Sequence, residues 1–208
     1  MEPCSDLYIR RIAKYYRYLS HLKQRGALRV LSDELAVYMN ISPSQVRTDL
    51  GKLAVGQSGY GYNVAVLTTE MEKFLGINKI NKMVLIGAGK LGQALLCYEG
   101  FYHKGFRFGA AFDINPKLQG KTFGFLEEPV RSMRELKPYL AKNQVQLAVL
   151  AVIPESVQAV TDILVASKIK GIWNFAPYYP KVPENVVLEN VHIQESLLQL
   201  AYRLSNAN

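Results

Sequence analysis

Residues 82–113, KMVLIGAGKLGQALLCYEGFYHKGFRFGAAFD, decide the fold. Met83-Val84-Leu85-Ile86 is a short apolar run, the signature of a strand buried on both faces. Gly87-Ala88-Gly89-Lys90-Leu91-Gly92 follows at once and fits G-x-G-x-x-G. A helix is expected over 90–103 and a second strand over 108–112. In this setting Gly87 permits the tight turn, Gly89 lets the backbone approach a pyrophosphate, and Gly92 lets the helix pack close to the strand. Ala88, Lys90 and Leu91 complete the loop, and the helix start offers unpaired N–H groups to phosphates. Asp113 ends the second strand, 21 residues after Gly92. A carboxylate there accepts hydrogen bonds from both ribose hydroxyls and repels a 2′-phosphate, so NAD(H) rather than NADP is the expected cofactor. The plainer alternative is a glycine-rich turn that binds nothing.

Working outward toward the C-terminus, strands and helices continue to alternate. A helix is expected over 131–142, an apolar strand over 146–153, a helix over 155–168 and a strand over 171–175. Helices between buried strands imply an α/β fold with a doubly wound parallel sheet. Ala151-Val152-Ile153-Pro154 and Asn174-Phe175-Ala176-Pro177 close two of these strands. Ligands bind outside the carboxyl ends of such strands. Val152, Pro154, Asn174, Phe175 and Ala176 are therefore candidates for the nicotinamide half of the cleft, although both prolines equally serve to end strands. A last helix over 194–205 carries Leu197, Leu198, Ala201 and Leu204 on one side.

Catalytic equipment is missing from this pattern. His21, His103 and His192 belong to no nucleophile or metal motif, and Cys4 and Cys97 lack the paired spacing of a zinc site. No acid–base pair for hydride transfer stands out, so the site is expected to bind a dinucleotide without turning it over.

Toward the N-terminus the rhythm changes. Residues 6–25 read as a helix, with Ile12, Tyr15, Leu19 and Leu22 on one stripe and many basic residues elsewhere. Residues 28–31 form a short apolar strand. Ser32 is the expected N-cap of the next helix, with Asp33 and Glu34 in its first turn. Ser42-Pro43-Ser44-Gln45 combines an N-cap serine, a proline at the first helical position and a glutamine at the third, opening a helix expected to reach about residue 54. Two helices joined by a short turn, the second with Gln and Arg near its start, form a helix-turn-helix whose second helix can enter a DNA major groove. Arg bonds guanine edges or phosphate and Gln pairs with adenine. An ordinary helical hairpin is the alternative. Residues 56–62, GQSGYGY, read as a hairpin turn, with Val64 and Val66 continuing the return strand, which would complete a winged helix. Ser44, Gln45, Arg47, Thr48, Lys52, Gly59 and Tyr60 are the candidate DNA contacts. Thr69 and Glu72 suggest a capping box for a short helix ending at Gly76.

Composition agrees with both halves. The 208 residues are 49% hydrophobic and carry a net charge of +8. Residues 1–80 and 81–208 each carry a net +4, so positive charge is denser in the shorter N-terminal part, as a polyanion-binding module requires. No apolar run reaches the ~18 residues of a membrane span. The opening MEPCSDLYIRR lacks the apolar stretch of a signal peptide, so a cytoplasmic location is expected. The expected domains are a winged helix over 1–80, a Rossmann domain over 81–193 and a C-terminal helix over 194–208.

A winged helix joined to an NAD-type Rossmann domain resembles the Rex family of bacterial redox-sensing transcriptional repressors, along almost the whole chain. The matching stretches are Gln45-Val46-Arg47 with Asp49-Leu50, Gly61-Tyr62-Asn63-Val64, the glycine loop, Gly105-Phe106, Ala111-Phe112-Asp113 and Trp173-Asn174-Phe175-Ala176-Pro177. The resemblance implies a homodimer that binds an inverted-repeat operator when NADH is low and releases it when NADH binds. It implies that the C-terminal helix is swapped onto the partner subunit. It also implies that Tyr98 lies near the nicotinamide and Arg17 at an interdomain contact. Three departures stand out. His192 occupies a position where the family usually has an acid that contacts that arginine and tyrosine. Lys52-Leu53-Ala54-Val55-Gly56 replaces a segment that is usually aromatic and one residue longer. Gln57-Ser58 stands where the wing tip usually carries Lys or Arg, which removes phosphate contacts. An NAD-dependent oxidoreductase or a CoA-binding module with an accessory DNA-binding domain is the alternative function.

Overall fold

The computed structural model describes residues 4–53 and 60–206. The chain divides into two compact units, Met1–Lys79 and Ile80–Asn208.

In the first unit, α1 (Asp6–Gln24) buries Tyr8, Ile12, Tyr15, Tyr16 and Leu19, a spacing of three and four that keeps one stripe inward. The short strand β1 (Arg29–Val30) leads to α2 (Ser32–Met39). The cap of α2 sits one residue earlier than the expected Ser32. Leu31 holds the N-cap position, where no side chain can accept, and the Glu34 carboxylate takes the Leu31 N–H at 3.4 Å instead. Asn40, with φ 54°, ends α2 in the left-handed conformation that asparagine tolerates. The helix α3 (Pro43–Gly51) follows, and the Ser42 hydroxyl accepts the Gln45 N–H at 3.2 Å as the sequence pattern requires. It ends three residues short of the expected 54.

The return strand is shorter than expected. β2 (Tyr62–Asn63) pairs antiparallel with β1, and Val64 and Val66 belong instead to α4 (Val64–Phe74). Asn63 is the reason: its side-chain oxygen accepts the Val66 N–H at 3.0 Å and starts the helix there. Thr69, expected to open a capping box, lies inside α4 and bonds back to the Ala65 carbonyl at 3.0 Å. Most of the expected turn over 56–62, with Gly59, lies outside the described residues. Gly61 has φ +87°, and a Cβ there would meet the Val30 carbonyl oxygen at 2.7 Å, so the strand pair closes only over glycine.

The second unit is a six-stranded, wholly parallel sheet. Its strands are β3 (Asn81–Ile86), β4 (Phe106–Asp113), β5 (Arg131–Ser132), β6 (Leu147–Leu150), β7 (Gly171–Asn174) and β8 (Val187–Asn190), ordered β5-β4-β3-β6-β7-β8. The order reverses between β3 and β6, the topological switch of a doubly wound sheet. The helices are α5 (Lys90–Leu96), α6 (Glu99–His103), α7 (Leu136–Lys142), α8 (Val157–Ala166) and α9 (Ile193–Ser205). Strand alternation builds two cores. Val84 and Ile86 pack with Leu136, Leu140, Val160 and Leu164 of α7 and α8 on one face. Met83 and Leu85 pack with Leu96 of α5 on the other.

The helix expected over 90–103 is two helices, broken at Tyr98, whose ψ of 101° leaves the helical region. Residues 131–135 are not helical from the start: they form β5 and one 3-10 turn before α7. The strand expected over 146–153 is only β6, because Pro154 opens a 3-10 turn into α8. Strand β8 was not expected, since Val187-Leu188-Glu189-Asn190 has no hydrophobic alternation strong enough to mark it.

Candidate functional site

The glycine loop leaves β3 at the switch point. The Gly87 N–H donates to the Phe112 carbonyl at 2.8 Å and the Ala151 N–H to the Ile86 carbonyl at 2.8 Å, so three strand ends meet there. Gly87 has φ +94°, and a Cβ would meet the Ala151 carbonyl oxygen at 2.4 Å. At Gly92 a Cβ would meet the Gly87 carbonyl oxygen at 2.0 Å. Both positions are glycine because backbone fills the space. Gly89 differs: nothing lies within 4 Å of where its Cβ would be. Gly87, Ala88 and Gly92 are buried, while Gly89, Lys90 and Leu91 face outward at the start of α5. The loop is therefore rigid beneath and open above, a fit for a pyrophosphate laid across its N–H groups.

Asp113 sits at the rim of the same cleft. Its Oδ2 accepts the Ala88 N–H and its Oδ1 the Asn115 N–H, each at 2.7 Å. Both oxygens keep lone pairs for ribose hydroxyls. The cleft, about 250 Å³, is lined by Gly87, Gly89, Asp113, Val152 and Ile153 together with Ile114, Met133 and Ser156. The last three were not anticipated. Met133 follows the unexpected β5, and Ile114 could have been found from its place next to the acid. Gln93 was also missed; its Nε2 donates to the Ala88 carbonyl at 2.8 Å and braces the loop.

The second candidate group is less open. The buried Asn174 amide donates to the Ala176 and Tyr178 carbonyls at 3.2 and 2.7 Å and to Asn190 Oδ1 at 2.8 Å, while its own oxygen accepts the Ala176 N–H at 3.1 Å. It holds the 174–178 turn and ties β7 to β8. Ala176 is buried, and Phe175 packs its ring on Trp173 at 4.5 Å. Pro154 starts the turn into α8. Tyr98 is 59% exposed at the break between α5 and α6, its ring edge-on to Phe101 at 4.8 Å. His192 is the N-cap residue of α9; its ring lies 4.6 Å from Tyr179, and its buried Nε2 has no hydrogen-bond partner among the described residues. Arg17 belongs to the first unit, where its guanidinium donates to the Tyr38 hydroxyl at 3.2 Å. A second, more apolar cavity of about 330 Å³ lies over the sheet face that carries Met83, Leu147 and Trp173, beside Phe101 of α6, and shares no lining residue with the glycine-loop cleft.

In the first unit, α3 exposes Ser44, Arg47 and Thr48 and half-buries Gln45. Arg47 donates to the Ser32 hydroxyl at 3.2 Å and Thr48 to the Ser44 carbonyl at 3.0 Å. Lys52 rests over the Tyr8 ring at 4.9 Å, and Tyr60 is 81% exposed. Behind α3 lies a group the sequence pattern did not reveal. Asp49, 1% exposed, accepts from Arg11 Nε at 2.6 Å and Nη2 at 2.8 Å, from Gln45 Nε2 at 2.9 Å and from the Tyr15 hydroxyl at 3.3 Å. Burial alone would raise its pKa, but the bonds from Arg11, Gln45 and Tyr15 outweigh it and hold the carboxyl below its ordinary value of 3.8. The Tyr15 hydroxyl is pushed up by burial and by the neighbouring Asp49 charge.

Among the described residues no helix is long and apolar enough to cross a membrane, and no cluster of His, Cys, Asp or Glu has metal-binding form.

Two family models match the chain: a CoA binding domain over residues 78–178 and a putative DNA-binding protein N-terminus over residues 5–51. The redox-sensing transcriptional repressor Rex of Clostridium acetobutylicum is 42% identical over 96% of this chain and 93% of its own length. Rex of Clostridium kluyveri is 43% identical over 95% of this chain and 94% of its own. Among solved structures, RSP in complex with β-NAD⁺ and operator DNA superposes with a TM-score of 0.91 at 38% identity, covering all of this chain and 95% of that one. RSP in complex with β-NADH gives 0.90 at 37% identity, covering all of this chain and 97% of that one. With that identity sustained across both units, the chain belongs to the Rex family of redox-sensing transcriptional repressors.

Proposed function

We propose that this chain is a homodimeric, cytoplasmic repressor that reads the NADH/NAD⁺ ratio, binding an inverted-repeat operator when NADH is low and leaving it when NADH binds. The carrying observation is one chain that joins an open glycine loop with a rim carboxylate to a helix-turn-helix with exposed Arg47. Residues 87–92, Asp113, Val152 and the neighbouring strand ends would hold the dinucleotide, whose redox state is the signal and is not consumed. Ser44, Gln45, Arg47, Thr48, Lys52, Gly59 and Tyr60 would face the DNA. The domain scheme follows: 1–80 reads DNA, 81–193 binds NAD(H), and 194–208 docks on the partner subunit. Two features favour that last role. Leu197, Leu198 and Leu204 of α9 are 65, 68 and 67% exposed in the single chain, an apolar face of the kind that marks an interface. Moreover, Val187 of the outer strand β8 is 72% exposed. Arg17, Tyr98 and His192 are proposed to report the redox form across the two units.

Fluorescence anisotropy of an inverted-repeat duplex at several NADH/NAD⁺ ratios tests this. NADH is expected to dissolve the complex and NAD⁺ to preserve it; DNA retention unaffected by NADH overturns the sensing role. The match to a CoA binding domain supports one competing reading, a CoA-binding module. Calorimetry decides it, with NADH expected to bind and CoA not.

A further inference from the structure

Asp49 is a charged residue on the inner side of the helix proposed to read DNA, and its surroundings dictate the orientation of a neighbour. Arg11 reaches it from α1 with a two-pronged contact, the Tyr8 hydroxyl donates to its backbone carbonyl at 3.0 Å, and Gln45 lies one turn earlier on the same helix. An ionised carboxylate only accepts hydrogen bonds. The Gln45 amide must therefore turn its nitrogen toward Asp49 and give one N–H to it. Its Oε1 and second N–H are left for the outer edge, and no described residue takes either. An acceptor beside a donor matches the N6/N7 edge of adenine. It mismatches guanine, whose O6 and N7 are both acceptors.

We infer that Asp49 is a positioning residue for operator specificity: it locks the Gln45 carboxamide so that α3 reads one adenine in each half-site. The inference rests on the DNA-reading role proposed above. It gives Asp49 a function beyond joining α1 to α3. It also separates Gln45 from Thr48, whose hydroxyl is already bonded to the Ser44 carbonyl.

The test starts with the full-length protein and a duplex library with randomised inverted half-sites. The selected site is then varied one base pair at a time, and affinities are measured for wild type, Gln45→Met, Asp49→Asn and the double variant. Wild type is expected to prefer adenine over guanine at one symmetric position by roughly tenfold. Gln45→Met, which keeps size but removes both polar groups, is expected to erase that preference and leave the others. Asp49→Asn can itself donate to Gln45 Oε1, which releases the lock. It is expected to lose most of the same preference, with little further loss in the double variant. NADH binding should be unchanged in all four, since the second unit has its own core; an unchanged far-ultraviolet helical signal and a cooperative thermal transition show that the first unit is folded in each. Gln45→Glu tests the lock without altering Asp49. The new carboxylate is repelled outward and offers only acceptors, so the adenine preference should disappear and a base presenting a donor, such as cytosine, should be favoured. Gln45→Met with an unchanged preference at every position overturns the inference, as does Gln45→Glu that still prefers adenine. Asp49→Asn that weakens every duplex by the same factor while keeping the preference shows a merely structural role and overturns it too. A wild-type chain that selects no inverted repeat overturns the DNA-reading role itself, and this inference with it.

Discussion

Gly89 and Gly92 stand three residues apart and are glycine for different reasons. Gly92 faces the Gly87 carbonyl, which would lie 2.0 Å from an added Cβ, so Gly92→Ala must push backbone against backbone. It is expected to cost about 2 kcal/mol of stability, read by chemical denaturation, and to abolish NADH binding with it. Gly89 has open space and a φ of −66° that alanine adopts freely. Gly89→Ala should leave stability within about 0.5 kcal/mol while occupying the path of the pyrophosphate. NADH affinity, read by calorimetry, should fall about tenfold or more, a loss of ~1.4 kcal/mol in binding alone. A Gly89→Ala variant that binds NADH normally would place the cofactor elsewhere. Asp49 supplies a second residue-scale prediction. Its folded pKa is depressed, so its stabilisation is complete above the ordinary value of 3.8 and is lost as the pH falls below it. Asp49→Asn should flatten that acid limb and cost about 1–2 kcal/mol at neutral pH, because the Asn oxygen keeps one bond to Arg11 while the charge and the second bond are lost; thermal denaturation between pH 2 and 7 measures both. Asp113 was legible in the sequence because its meaning comes from distance along the chain to the glycines. Asp49 was not, because an aspartate on a polar helix reads as surface until Arg11 arrives from 38 residues away.

Elements were legible where a local signal dominated and obscure where two signals competed. The β3–loop–α5 unit was readable because an apolar run and three glycines say the same thing. The start of α3 was readable because Ser42, Pro43 and Gln45 agree. Around residue 63 the signals conflict: valines favour a strand, Thr69 and Glu72 suggest a later helix start, and Asn63 caps an earlier one. The cap prevails because Val64, Leu67 and Met71, at helical spacing, all bury in the first unit's core. Asn63→Ala should therefore lower the stability of this unit by about 1 kcal/mol, with a matching loss of helical signal on denaturation. A stability unchanged from wild type would show that packing alone sets the start of α4. The break between α5 and α6 was illegible for a different reason. Tyr98 and Phe101 are ordinary helix residues, but the Tyr98 ring lies where a side chain on Gly100 would stand, its nearest atom 2.5 Å from an added Cβ. Strands β5 and β8 escaped notice because two or four residues at a sheet edge carry too little pattern to register.

At the scale of the whole molecule, the question is how a ligand on one compact unit governs DNA bound by another. NADH can shift the protein only by its difference in affinity between the DNA-binding state and the released state. The coupling is reciprocal, so the factor by which NADH weakens DNA binding equals the factor by which DNA weakens NADH binding. If saturating NADH lowers operator affinity a hundredfold, NADH must bind the DNA complex a hundredfold more weakly, a coupling of about 2.7 kcal/mol. Dimerisation enters the same balance. Leu197→Glu with Leu204→Glu, on the exposed face of α9, should give monomers in sedimentation velocity, with NADH binding retained and operator affinity lost because two half-sites no longer act together. His192 then becomes decisive. It is the N-cap residue of α9, its Nε2 lacks a hydrogen-bond partner among the described residues, and it carries no negative charge to hold an arginine. His192→Asp puts a carboxylate at the N-cap of α9 and is expected to enlarge the coupling factor. The check is two titrations on each variant: NADH by fluorescence with and without duplex, and duplex by anisotropy with and without NADH. The two factors should agree within each protein and be larger in His192→Asp than in wild type. Equal coupling in both proteins would remove residue 192 from the signalling path and leave Arg17 and Tyr98 to carry it without a charged intermediary.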